Sequence, residues 1–411
     1  MPGPRMENMP AEAAGPALLP FVASVPLVDH HCHGVLGAAG PVESLLNEAD
    51  GLAVADGLAL DSLAGLALRK WCPPLLDLPA HAPAADYQAR RDALGGPAIN
   101  RRFLTACGLA ALCVDTGYAP AGLLSPAETA GFAGAAGFEV VRLEQVAESL
   151  AQAGVNAVGF PDAYRAALAA RFASPSHGVP AVAVKSIAAY RTGLALDGRR
   201  PTDAEVTAAV ARWLGSGDGN AGGASERAGN PRPVSSPRLA DEVLHRFFIW
   251  CGADLGVPIQ FHVGYGDRDV DLHRCNPLLL TGLLRALEPA GVPVMLLHNY
   301  PYHREAGYLA QVFPHVYADL GLATHNVGSR APQVLAEALE LVPLRKFLFS
   351  SDAFGLPELY YLGTLLFRQA LSAFLQDRLD ADDMSYADAE RITRLIASEN
   401  AQRAYRPLDG I

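Results

Sequence analysis

Short apolar runs that end in polar or charged residues set the rhythm of this chain. They occupy residues 26–33, 110–115, 138–144, 181–185, 258–262, 293–298, 315–319 and 346–352. Most are continuously apolar rather than alternating, the pattern of parallel strands covered on both faces. Segments 143–154, 203–214, 237–255, 277–290 and 331–341 lie between them and have helical spacing or composition. Gly256 and Gly291 follow two of these just before a strand, as helix stops do. Eight β/α units predict an α/β fold closed into a (β/α)8 TIM barrel over residues 25–407. An open doubly wound sheet is the alternative, but no Gly-x-Gly-x-x-Gly turn follows the first run.

Two insertions interrupt the rhythm. Residues 40–108 separate the first two runs, far more than a usual connection, and predict a helical cap over the barrel's C-terminal mouth. Residues 215–237, rich in Gly, Ser, Asn and Pro, predict a flexible loop. Residues 1–24 read as an N-terminal tail, frayed at its start. Residues 385–405 read as a helix capped by Ser385 and packed on the outside.

Composition narrows the function. The chain has 411 residues, half of them hydrophobic, and a net charge of −11. That charge argues against nucleic acid or an anionic membrane as partner and leaves a small-molecule substrate as the expectation. No apolar stretch reaches the roughly 18 residues of a membrane span. Residues 1–20 have no apolar signal core. The cysteines Cys32, Cys72, Cys107, Cys113, Cys251 and Cys275 form no Cys-x-x-Cys pair. Reduced thiols and a cytoplasmic location follow as expectations. A homo-oligomer is the default assembly.

The chemistry gathers at the strand ends. His31 and His33 sit two apart on an extended run, so they share a face, with Cys32 on the other. Lys185, His262, His298 and Asp352 end later runs. Imidazole is a common ligand for zinc and other divalent transition metals. Each residue alone has an ordinary alternative as a cap, turn or surface residue. Their common placement at one end of successive strands is what points to a site. Substrate contacts are expected from Arg142, Glu144, Tyr190, Arg191, Tyr265 and His303, which follow strands three to six. Arginines near the mouth favour an acidic substrate, since guanidinium pairs bidentately with carboxylate.

The segments Asp29-His-His-Cys-His33, Gln260-Phe-His262, Leu297-His298-Asn299, Ser350-Ser-Asp352 and Glu399-Asn-Ala401 resemble the amidohydrolase superfamily, in its amidohydrolase-2 branch. Lys185-Ser-Ile and Tyr190-Arg-Thr-Gly-Leu194 resemble the hydrolase-like half of nodulin/FluG-type proteins, which are fused to glutamine synthetase. The resemblance implies that His31 and His33 hold a divalent metal, most readily Zn2+ with Mn2+ as the alternative, supported by His262 and Asp352. It implies Asp352 as general base, and His298 as a ligand or carbonyl stabiliser. Lys185 is either carboxylated and bridging two metals, or a cation beside one. The implied activity is metal-dependent hydrolysis of a C–N amide-type bond in a small carboxylate-bearing molecule, with a γ-glutamyl amide as one candidate. A metal-dependent decarboxylase is the first alternative. A catalytically silent metal-binding scaffold or sensor is the second.

Overall fold

The structure, a computed structural model, describes residues 18–48, 57–215 and 237–408. Its strands are β1 Leu27–Cys32, β2 Leu109–Asp115, β3 Ala136–Arg142, β4 Ala181–Ser186, β5 Ile259–Val263, β6 Val294–His298 and β7 Val316–Ala318. They form one parallel sheet in sequential order. Helices follow most of them, so both faces are covered and the strands read as continuous apolar runs.

The eighth run differs from the expected strand. A 3-10 turn, Leu344–Lys346, replaces its start, and residues 347–353 run on without a regular ladder. They still close the barrel. Leu348 N donates to Ala318 O of β7 at 3.0 Å, and Asp352 N donates to His31 O of β1 at 3.0 Å. The amides of His30, in β1, and His33, just past it, donate back to Phe349 O and Ala353 O. Side chains complete this seam. Asp29 accepts from Ser351 N at 3.0 Å and Ser351 Oγ at 2.5 Å. Burial pushes the Asp29 carboxyl up to about 7, against the pull of those bonds.

β1 carries a second irregularity. Asp29 pairs with Leu112 but Cys32 with Val114, so β1 holds one extra residue there, a β-bulge. The bulge lets His30 and His31 both turn into the barrel, where His30 meets Tyr405 and His31 meets Gln260. Cys32 packs outward among the helices, as alternation predicts. All six cysteines are buried free thiols.

Small and apolar side chains fill the barrel: Val28, Ala111, Cys113, Val140, Ala183, Met295, Leu297 and Leu348. Its floor corrects the reading of residues 385–405 as an outer helix. Ser385 does cap helix Tyr386–Arg394, accepting from Asp388 N at 3.1 Å. The chain then passes through a π turn, Leu395–Glu399, into helix Asn400–Ala404. Asn400 Nδ2 donates to Leu344 O and Phe347 O below the eighth run. That anchor drives Ala401, Ala404, Tyr405 and Leu408 into the barrel interior.

Other boundaries shift for local reasons. The helix expected from 237 begins at Glu242, because Asp241 caps it by accepting from Val243 N and Leu244 N. Segment 277–290 breaks into Pro277–Leu280, Thr281–Leu287 and Glu288–Ala290, with a proline in each flanking turn. Residues 20–24 are not frayed: helix Pro20–Ser24 is held by Arg368 Nη1 donating to Val22 O and Val25 O. Residues 1–17 of the expected tail and 216–236 of the expected loop lie outside the described residues.

The 40–108 insertion is helical where described, with Leu63–Trp71, Ala84–Leu94 and Gly96–Ala106. It docks beside the seam. Arg91 and Tyr87 both donate to Glu358 Oε1, in the first turn after the eighth run. Asn100 Nδ2 donates to Leu36 O, just past β1.

Candidate metal centre

The C-terminal ends of β1, β5, β6 and the eighth run bring four histidines and a carboxylate to one rim. Asp352 Oδ1 lies 3.2 Å from His31 Nε2 and 3.3 Å from His33 Nε2, and Asp352 Oδ2 lies 3.4 Å from His298 Nδ1. The ring of His262 stands 4.8 Å from that of His298 and 4.5 Å from that of Tyr190, measured between centroids. The donor atoms of His31, His298 and Asp352 all fall within 4.8 Å of one another, as do those of His31, His33 and Asp115.

Backbone strain helps to aim these groups. His298, Asn299 and Asp352 have φ of +70°, +60° and +49°. A non-glycine residue in that region costs on the order of 1–3 kcal/mol and needs support from its surroundings. Asp319 supplies it at β6: its Oδ1 accepts from His298 N at 2.5 Å, and its backbone O accepts from Asn299 Nδ2 at 3.0 Å.

Several site atoms are buried without a hydrogen-bond partner: His262 Nε2, both ring nitrogens of His298, His33 Nδ1 and Asp352 Oδ1. Each such atom costs about 1–3 kcal/mol. Burial, with Lys185 adding, lowers His31 to about 4 and His262 to about 3. Burial also holds His298 well below its ordinary value. Neutral imidazole is the form that ligates metal. For Asp352, burial acts to raise the carboxyl, but His298, His31 and His33 outweigh it and keep it well below the usual range. Neutral imidazoles around an ionised carboxylate, with unpartnered donor atoms, fit a divalent zinc- or manganese-type ion.

Lys185 sits beside this cluster. Its Nζ lies 2.9 Å from His31 Nε2 and 3.1 Å from Asp115 Oδ2. Asp115 also accepts from Arg142 Nε at 3.2 Å and Nη2 at 2.5 Å. Burial opposes the Asp115 charge, yet Arg142 and Lys185 overcome it and hold the carboxyl well below its ordinary value. Sequence reasoning passed over Asp115, although it ends β2 at the same rim as the other site residues. It also passed over His325, on helix Gly321–Asn326 after β7. His325 is buried, its Nδ1 has no partner, and burial pushes it down to about 4 against the nearby Asp352. Nothing in its local sequence marks it, since it stands six residues beyond the run that ends in Asp319.

The expected substrate contacts divide. Tyr190 and Tyr265 lie at the mouth. Tyr190 packs at a tilt of 53° against His262, and Tyr265 donates to Leu322 O. Burial raises the Tyr265 phenol, and the carboxylates of Glu48 and Asp352 add to it, so the insertion reaches this side of the mouth. Arg142 faces the site but binds Asp115. Three others do structural work. Glu144 is buried and accepts from Ser186 Oγ, Ile187 N and His245. Arg191 faces Glu148 at 3.5 Å. His303 Nε2 lies 2.8 Å from Glu337 Oε2, tying two outer helices together.

Comparison with known proteins agrees with this geometry. The amidohydrolase family model (Amidohydro_2) matches residues 133–406, more than half of the chain. The curated protein fluG of Emericella nidulans is 28% identical over 424 aligned positions, which cover 94% of this chain and 46% of that protein. The chain therefore spans about half the length of the curated relative it matches. A solved structure from Lactobacillus casei, provisionally described as a metal-dependent hydrolase, is 31% identical with a TM-score of 0.77, covering 94% of this chain and 96% of that one. Uronate isomerase from Thermotoga maritima shares the fold, with a TM-score of 0.60 at 13% identity over 94% of this chain and 96% of that one. Both the residues at the rim and the family match lead to one conclusion: the chain belongs to the amidohydrolase family of metal-dependent hydrolases.

Proposed function

We propose that this enzyme hydrolyses a C–N amide-type bond in a small carboxylate-bearing substrate, at a single divalent metal. The observation that carries the reading is the set of unpartnered ring nitrogens of His298, beside Asp352 Oδ2, and of His262, whose ring packs on that of His298. His31, His33 and Asp352 would hold the ion, with His298 and His262 beside it. When bound, such an ion supplies a Lewis acid and lowers the pKa of water. Asp352, kept ionised by its histidines, takes the proton from the attacking water and returns it to the leaving amine.

The charge behind the site favours an acidic substrate. With a divalent ion bound, the ion, Lys185 and Arg142 would outweigh the carboxylates Asp115 and Asp352 in positive charge. Carboxylating Lys185 would place an anion next to buried Asp115, which supports reading Lys185 as unmodified and the centre as mononuclear. A γ-glutamyl amide has the required carboxylate and amide, and the similarity to fluG supports testing that class first.

Metal analysis of wild type and Lys185→Ala tests the centre. About one equivalent in both is expected; about two in wild type, falling in the variant, would establish a binuclear centre. Amine release from a panel of γ-glutamyl and acyl amides tests the reaction. Carbon dioxide release from carboxylic acids, with no amide turnover, would replace hydrolysis with decarboxylation. Metal retained without turnover on either panel would leave a binding protein.

A further inference from the structure

Under the metal centre lies a buried chain of hydrogen bonds whose direction can be assigned bond by bond. Gln260 Nε2 lies 2.9 Å from His30 O and 2.9 Å from Tyr405 Oη. A backbone carbonyl only accepts, so the nitrogen end of the Gln260 amide faces the floor. Its oxygen end therefore faces His31 Nδ1, at 2.8 Å. An amide oxygen only accepts as well, so His31 Nδ1 carries the proton and His31 Nε2 keeps its lone pair toward Asp352 and Lys185.

The same logic runs outward from Tyr405. Its oxygen accepts from Gln260, so its hydroxyl donates to His30 Nδ1 at 2.8 Å. His30 then carries its proton on Nε2 and donates to Asp319 Oδ2 at 2.7 Å. Ser350 Oγ donates to the same carboxylate at 2.8 Å, and His298 N donates to its other oxygen. Every donor has an acceptor, and reversing one bond leaves a buried group unpaired.

We propose that Tyr405 is a positioning residue: acting through Gln260, it holds His31 as the Nδ1–H tautomer with its lone pair on Nε2, at the rim. Tyr405 lies on the floor of the barrel, where contributions are ordinarily to stability alone. Without its hydroxyl, one Gln260 hydrogen loses its acceptor and His30 Nδ1 loses its donor. The amide is then held at the floor by His30 O alone; a turned amide offers its NH2 group to His31, which moves the His31 proton to Nε2 and blocks the lone pair. The consequence for metal rests on His31 being a ligand, as proposed above. Groups that orient a ligating histidine are typically worth about 10–100-fold in metal affinity.

The test uses the full chain, metal-free, with 15N-labelled histidine. Nuclear magnetic resonance of the imidazole nitrogens should show His31 as a single Nδ1–H tautomer in wild type. Tyr405→Phe and Gln260→Leu should both introduce the Nε2–H form. A chelator competition with Zn2+ should then show weaker binding in Tyr405→Phe and Gln260→Leu, by about 10-fold or more. An unchanged His31 tautomer in Tyr405→Phe overturns the proposal, whatever the stability of that variant. A changed tautomer with unchanged Zn2+ affinity upholds the positioning and instead removes His31 from the metal site.

Discussion

The two ends of this barrel hold similar side chains in opposite states. At the mouth, His262 and His298 are buried with ring nitrogens unpaired, beside the half-buried Asp352. At the floor, His30, Gln260, Asp319 and Tyr405 are just as buried, and each of their side chains is hydrogen-bonded. A fully satisfied network stabilises and specifies the fold. An unsatisfied one is a standing cost that a ligand can remove. Burial by itself therefore does not mark a functional histidine; the gathering of unpaired ring nitrogens at one carboxylate marks this rim.

The sharpest test of the mouth is Asp352→Asn. Turnover should fall by about 100- to 10,000-fold, the usual contribution of a general acid–base. Circular dichroism should show the fold intact. Substantial remaining activity would place the base elsewhere, with His325 the next candidate.

Acid should separate the mouth from the floor more broadly. Folded His31 and His262 take up protons only near pH 4 and 3, whereas unfolded histidine does so near 6.5. Above pH 6.5 both states are neutral and this contribution to stability is complete. Below it the unfolded chain binds protons first, so these imidazoles should cost metal-free protein on the order of several kcal/mol as pH falls toward 4, partly offset by Asp29, whose folded carboxyl takes its proton near 7. Denaturant midpoints between pH 8 and 4.5 measure this. A flat profile would mean that these imidazoles are not held neutral.

Asp319→Ala attacks the floor. It strips acceptors from His30, Ser350 and His298 N, and should cost about 3 kcal/mol in urea unfolding. A much smaller loss would mean that water replaces the carboxylate. The mildest change is Gly321→Ala. Its Cβ would fall 2.6 Å from Ser350 Oγ and 2.8 Å from His298 Nδ1. Overpacking of that kind costs about 1–3 kcal/mol, and displacement of His298 should weaken metal binding, read by chelator competition.

The mouth was more legible in the sequence than the floor. His31, His33, His262, His298 and Asp352 each end an apolar run, so strand periodicity alone aligned them. Asp115 obeyed the same rule and lacked only a neighbour that named it. Tyr405 could not be found this way. It is 375 residues from its partner His30, and its helix looks like a surface helix until Asn400 turns it inward. The eighth strand was legible as an apolar run but not as an irregular seam, because the Asp29–Ser351 contacts that stitch it are tertiary. Glu144, Arg191 and His303 follow strands as expected, but distance along the chain does not reveal which way a side chain is drawn by its neighbours.

That seam also fixes when the site can exist. Asp29 and Ser351 are 322 residues apart, and Asp352 completes a cluster begun at His31. A nascent chain that has not yet passed residue 346 already holds His31, His33, His262 and His298, but neither the carboxylate between them nor the last stave of the barrel. Closing so long a loop is a late and slow event in folding. The candidate metal site is thereby tied to the arrival of the eighth run: until Asp352 is in place, the histidines lack the carboxylate that joins them.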